Sequence, residues 1–93
     1  MRLMYRFTIP VEKGNETAAD GSMPRIIQDL VDELRPEAAY FFLEDGRRAG
    51  LLVFEETDQT RLVAINEPLF AKLHAAISIQ PVMNFADMLK TLG

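Results

Sequence analysis

Two stretches near the middle of the chain, residues 38–43 and 49–54, are apolar at almost every position, and the turn signal Asp45-Gly46 lies between them. A half-buried strand in a small monomer alternates, so strands apolar on both sides belong to a sheet covered on both faces. Too little helix remains in the chain to cover both, and the pattern therefore predicts a second copy of the protein as the other cover. Asp45-Gly46 suits a two-residue turn, which pairs Leu43 with Arg48, Phe42 with Ala49 and Tyr40 with Leu51. A three-residue loop would shift every pair.

Around this hairpin the periodicity changes repeatedly. Leu3, Tyr5, Phe7 and Ile9 alternate with Met4, Arg6, Thr8 and Pro10, the signature of a strand with one dry face and one mixed face. Residues 12–21 are polar and small, with Gly14, Asn15, Asp20 and Gly21, and are expected to form a solvated loop long enough to act as a lid. Ser22 is then placed to cap a helix whose apolar face is Met23, Ile26, Ile27, Leu30, Val31 and Leu34. The opposite face, with Arg25, Asp29, Asp32 and Glu33, is solvated, and Pro36 stops the helix.

Asp58 is expected to cap a second helix with Leu62, Val63, Ile65, Leu69, Phe70 and Leu73 as its stripe. Pro68 should break or re-aim it near Asn66. Residues 76–80 alternate again as a strand, and Pro81 suits its end at a sheet edge. Asn84 and Asp87 open a last helix carrying Phe85, Met88, Leu89 and Leu92. The order is strand, helix, strand, strand, helix, strand, with a helical tail. Residues 1–93 are read as one domain.

Composition narrows the chemistry more than it defines it. The chain has no cysteine and a single histidine, His74, which removes thiolate nucleophiles, disulfides and sulfur- or histidine-rich metal sites. No nucleotide motif occurs, and no cofactor is expected. Net charge is -4 with the basic residues scattered, so nucleic acid is not an expected partner. No apolar run spans a bilayer and the N-terminus does not resemble a signal peptide, so no membrane association is expected and the expected location is the cytoplasm. The sequon Asn15-Glu16-Thr17 carries no weight without a secretory signal.

Glu67-Pro68-Leu69-Phe70, followed by Ala76-Ile77-Ser78-Ile79-Gln80-Pro81-Val82-Met83, is similar to the second half of muconolactone isomerase-like chains. With the element order, the chain resembles the dimeric α+β barrel superfamily, an α+β class of ferredoxin-like βαββαβ antiparallel sheets that also includes small cofactor-free monooxygenases. The resemblance implies helices on one face of the sheet and the partner's sheet facing the other across a cleft. It implies central first and third strands and a homodimer. It carries over no catalytic residue.

In that arrangement Arg6 and Thr8 face the cleft beside Met4, with Ser78 and Gln80 joining from the neighbouring edge strand. The hairpin adds an apolar wall, either Phe41, Leu52 and Phe54 or Tyr40, Phe42 and Leu51, depending on register. The pocket suits a small amphipathic or aromatic organic acid, with Arg6 forking its carboxylate. The alternative partner for Arg6 is Glu55, Glu56 or an acid of the second copy. His74 is a candidate general base and Tyr5 and Tyr40 are candidate donors, although such residues in these positions more often serve as surface or packing residues. An isomerase or cofactor-free oxygenase and a non-catalytic interaction module are the two rival functions.

Overall fold

The computed structural model describes residues 1–92, arranged as four antiparallel strands and four helices. In chain order these are β1 (Arg2–Ile9), α1 (Val11–Ala19), α2 (Ser22–Leu34), β2 (Ala38–Glu44), β3 (Arg47–Glu55), α3 (Arg61–Leu73), β4 (Ala76–Pro81) and α4 (Phe85–Leu92). The sheet runs β2-β3-β1-β4, with β1 and β3 in the centre and β2 and β4 at the edges. This α+β layout is compatible with a ferredoxin-like fold and has one helix more than the sequence pattern implied.

The period-2 pattern of β1 decides the layering. Leu3, Tyr5, Phe7 and Ile9 are all buried, while the intervening side chains are only partly covered. Onto the buried side pack Leu30 and Leu34 of α2 and Leu62, Leu69 and Leu73 of α3, closing one core with Leu52 and Phe54 of β3. Burying each of these side chains contributes about 1.5–3 kcal/mol. The other face of the sheet is open.

The expected loop over residues 12–21 is instead largely α1. Pro10, with φ -56°, presets the entry, and its carbonyl accepts the Gly14 amide at 2.8 Å. Thr17 Oγ1 donates back to the Lys13 carbonyl at 2.7 Å. Gly14 and Thr17 are buried, so the small residues that resemble turn formers are there for close packing. A Cβ on Gly14 would lie 2.7 Å from Arg48 Nη1. Among the described residues, no long loop remains to serve as a lid.

Other boundaries follow local chemistry. At the start of α2, Gly21 (φ 82°) occupies the cap position, and the Asp20 carboxylate accepts from the amide and hydroxyl of Ser22. Those hydrogen bonds hold the Asp20 carboxyl below its usual range. Arg35 ends α2 in the left-handed region ahead of Pro36. Asp58 caps the turn before α3 rather than the helix, accepting from the amide and hydroxyl of Thr60.

Pro68 does not break α3, which runs through it to Leu73. Its missing amide leaves the Ala64 carbonyl without an i+4 donor. Both residues are exposed and line an open groove between α2 and α3, where water can supply the bond. The expected stripe of α3 is corrected at two positions, since Val63 and Phe70 are exposed.

The hairpin has the two-residue turn and the pairing read from Asp45-Gly46, with both residues at positive φ. Its two strands differ in cover. Ala49, Leu52 and Phe54 of β3 are buried by the chain itself, whereas Tyr40, Phe41, Phe42 and Leu43 of β2 are exposed. Among the described residues, no helix is long and apolar enough to cross a membrane.

Candidate functional site

Cross-strand register builds the open face in rows. Ser78, Arg6, Leu51 and Tyr40 stand side by side across all four strands. The next row is Ala76, Thr8, Ala49 and Phe42, and on the other side lies Gln80, Met4, Val53 and Ala38. Paired residues share a face, so the alternative wall of Tyr40, Phe42 and Leu51 is the one on this side. Phe41, Leu52 and Phe54 face the helices.

Arg6, Thr8, Ser78 and Gln80 come together as read from the sequence, lining one open depression of about 380 Å³. Glu44 lines it too, and its carboxylate pairs with the Arg6 guanidinium. The Arg6 guanidinium carbon also stands 6.0 Å from the centre of the Phe42 ring. That is within cation–π reach and orients the fork over an aromatic surface.

Neither acid named in the sequence reading is the partner of Arg6. Glu55 binds the N-terminal amine at 2.6 Å. Glu56 is buried, with its oxygens 2.9 and 3.1 Å from Arg61 Nη1 and a further bond from the Asp58 amide. Glu44 could have been found by parity: it shares its face of β2 with Tyr40 and Phe42 and is directly opposite Arg47.

Arg6 and Glu44 are 39% and 41% exposed at the side chain, so their pair is a solvated one worth about 0–1 kcal/mol. A ligand anion can displace Glu44 at little cost. Thr8, Ser78 and Gln80 add two hydroxyls and an amide, which both donate and accept. The site is therefore equipped to hold a polar or ionised group near the Phe42 ring.

The candidate general base lies elsewhere. His74 ends α3 in the left-handed conformation (φ 53°), is exposed, and does not line the depression. Among the described residues no carboxylate orients it. Tyr5 is fully buried on the helix side, where its hydroxyl donates to Asn66 Oδ1 at 2.8 Å and its ring meets Phe54 edge-on at 6.5 Å. Burial raises its pKa, and it serves packing. Tyr40 is 66% exposed, in the same row as Arg6 but two strands away, about 10 Å.

Arg2 closes one end of the open face. It donates to Glu37 and Asp87, each at 2.6 Å, tying the strand to the segment before β2 and to the root of α4. The Arg2 hydrogen bond holds the Asp87 carboxyl below its usual range. Among the described residues, no group of three or more histidine, aspartate or glutamate side chains is placed to hold a metal ion. No protein-family model matches the chain, and no curated protein matches it.

Proposed function

We propose that two copies of this chain pair through the open faces of their sheets as a dimeric α+β barrel. In the cleft between them they hold a small amphipathic or aromatic acid. The observation that carries the reading is the convergence of Arg6, Thr8, Ser78 and Gln80 in one depression, with the Phe42 ring 6.0 Å from the Arg6 guanidinium and Tyr40 exposed on the same face. Closing a second sheet over this face raises the strength of each polar contact, because the local dielectric falls. Arg6 then supplies a bidentate fork to the ligand carboxylate, and the aromatic wall covers its apolar part.

A thermal-shift screen of small aromatic and short-chain carboxylic acids tests this, with Arg6→Ala as the control. At least one acid should raise the melting temperature of the parent chain, and the response should vanish in the variant. The ligand reading fails if no acid shifts the transition, or if Arg6→Ala responds as the parent does.

The Arg6–Glu44 pair favours a second reading, a non-catalytic interaction module in which the cation is satisfied within its own chain. A dimer that responds to no acid supports that module instead.

A further inference from the structure

β2 is exposed on both of its faces, and face-to-face pairing of two sheets covers only one of them. Tyr40 and Phe42 look toward the open side, while Phe41 and Leu43 look toward the helices. On that second side Phe41 borders an apolar groove of about 240 Å³ whose floor is Phe7, Ile9, Met23 and Ile27. Arg48 stands at its rim, bonded to Asn15 Oδ1 at 3.0 Å and, among the described residues, without an acid in ion-pair range.

A second apolar body is equally without cover. None of the residues of α4 is buried, and Phe85, Leu89 and Leu92 are 70%, 48% and 74% exposed. The helix is nevertheless firmly rooted. Asn84 Oδ1 accepts the Asp87 amide at 2.7 Å, the Val82 amide binds the Arg2 carbonyl at 3.0 Å, and Asp87 pairs with Arg2. The molecule measures 51 × 27 × 17 Å, with a radius of gyration of 14.4 Å against about 12 Å for a compact chain of this length.

From these observations we infer that α4 is an exchanged arm, which packs its apolar stripe into the groove beneath β2 of a second copy. This rests on the pairing proposed above. The arm cannot serve its own chain: its root is at the Arg2 end of β1, the groove is at the Ile9 end about 23 Å away, and α4 is about 12 Å long. A two-fold axis perpendicular to the strands reverses them, bringing the Arg2 end of one copy alongside the Ile9 end of the other. The arm's C-terminal carbonyls, with their partial negative charge, would then meet the unpaired Arg48.

The area is sufficient. At roughly 200 Å² per large side chain, the exposed parts of Phe41, Leu43, Phe85, Leu89 and Leu92 come to on the order of 630 Å² per copy, and Tyr40 and Phe42 add about 200 Å² on the face that the sheet pairing covers. A standard interface buries about 800 Å² per partner, which the two surfaces together reach.

Because the chain has no cysteine, introduced thiols report the contact without interference. Leu89→Cys and Phe41→Cys chains are mixed in equal amounts and oxidised, and the mixed disulfide is distinguished from the two homo-disulfides by its intact mass. Leu92→Cys with Leu43→Cys is a second pair. Leu89→Cys with Val63→Cys on the outer face of α3 is the control. The arm pairs should cross-link at least tenfold more than the control. Yields equal to the control, in a chain that is dimeric by light scattering, overturn the exchanged arm and leave the pairing standing. A parent chain that is monomeric overturns both.

Discussion

Gly50 offers the sharpest test of how the sheet is packed at its β2 edge. It stands between Phe7 and Phe41 in one row of the helix side, and an added Cβ would lie 2.4 Å from Phe7 Cε1 and 3.1 Å from Phe41 Cδ1. Phe7 is buried and cannot swing into solvent, whereas Phe41 is half exposed and can give way. Gly50→Ala must therefore move the Phe7 ring. Overpacking of this kind costs about 1–3 kcal/mol.

Alanine also restricts the unfolded chain, which offsets about 0.4–1 kcal/mol because Gly50 is not at positive φ. A net loss of about 1–2 kcal/mol is expected. In a domain of this length that lowers the melting temperature by about 5–15 °C. Thermal and urea unfolding at fixed protein concentration measure it, since association would otherwise move the midpoint. Phe7→Leu in the Gly50→Ala background should recover part of the loss. An unchanged or raised melting temperature for Gly50→Ala alone refutes the packing argument.

Two further outcomes follow from single contacts. Tyr5→Phe removes the bond to Asn66 while keeping the ring, and should cost about 0.5–1.5 kcal/mol in urea unfolding with an unchanged far-UV spectrum. The Asp87 carboxyl is depressed in the folded chain, so its pairing with Arg2 contributes above the ordinary aspartate range of about 3.9 and is lost as pH falls through the lower folded value. The protection factors of the α4 amides, taken relative to intrinsic exchange at each pH, should fall on acidification through that window, and Asp87→Asn should show the lowered protection already at neutral pH. An α4 whose exchange is the same in both chains contradicts the anchoring role of Arg2.

Much of this architecture is legible in the letters because it rests on local rules. The alternation of residues 2–9 assigns Leu3, Tyr5, Phe7 and Ile9 to the core, and Asp45-Gly46 fixes the turn and therefore the hairpin pairing. The same parity argument is what gathers Arg6, Thr8, Ser78 and Gln80. What escapes depends on neighbours distant in sequence. Gly14 and Thr17 resemble a loop until Ile9 and Arg48 are known to crowd them, so α1 is missed. Pro68 resembles a break because the solvent-facing groove that tolerates its missing amide is built by two helices together. Glu44 is less legible as the partner of Arg6 because it lies outside the cross-strand row of Arg6 and reaches it only along the sheet, while Glu55 and Glu56 have the N-terminus and Arg61 as partners.

The central claim is that the exposed strand β2 and the open sheet face are an interface between copies of this chain. Light scattering coupled to size exclusion, on the parent protein at micromolar concentration, tests it most directly. The expected result is a mass of twice the 10.5 kDa chain, falling toward the single-chain mass in Tyr40→Asp with secondary structure retained. A parent protein that elutes at 10.5 kDa with its circular dichroism intact contradicts the account.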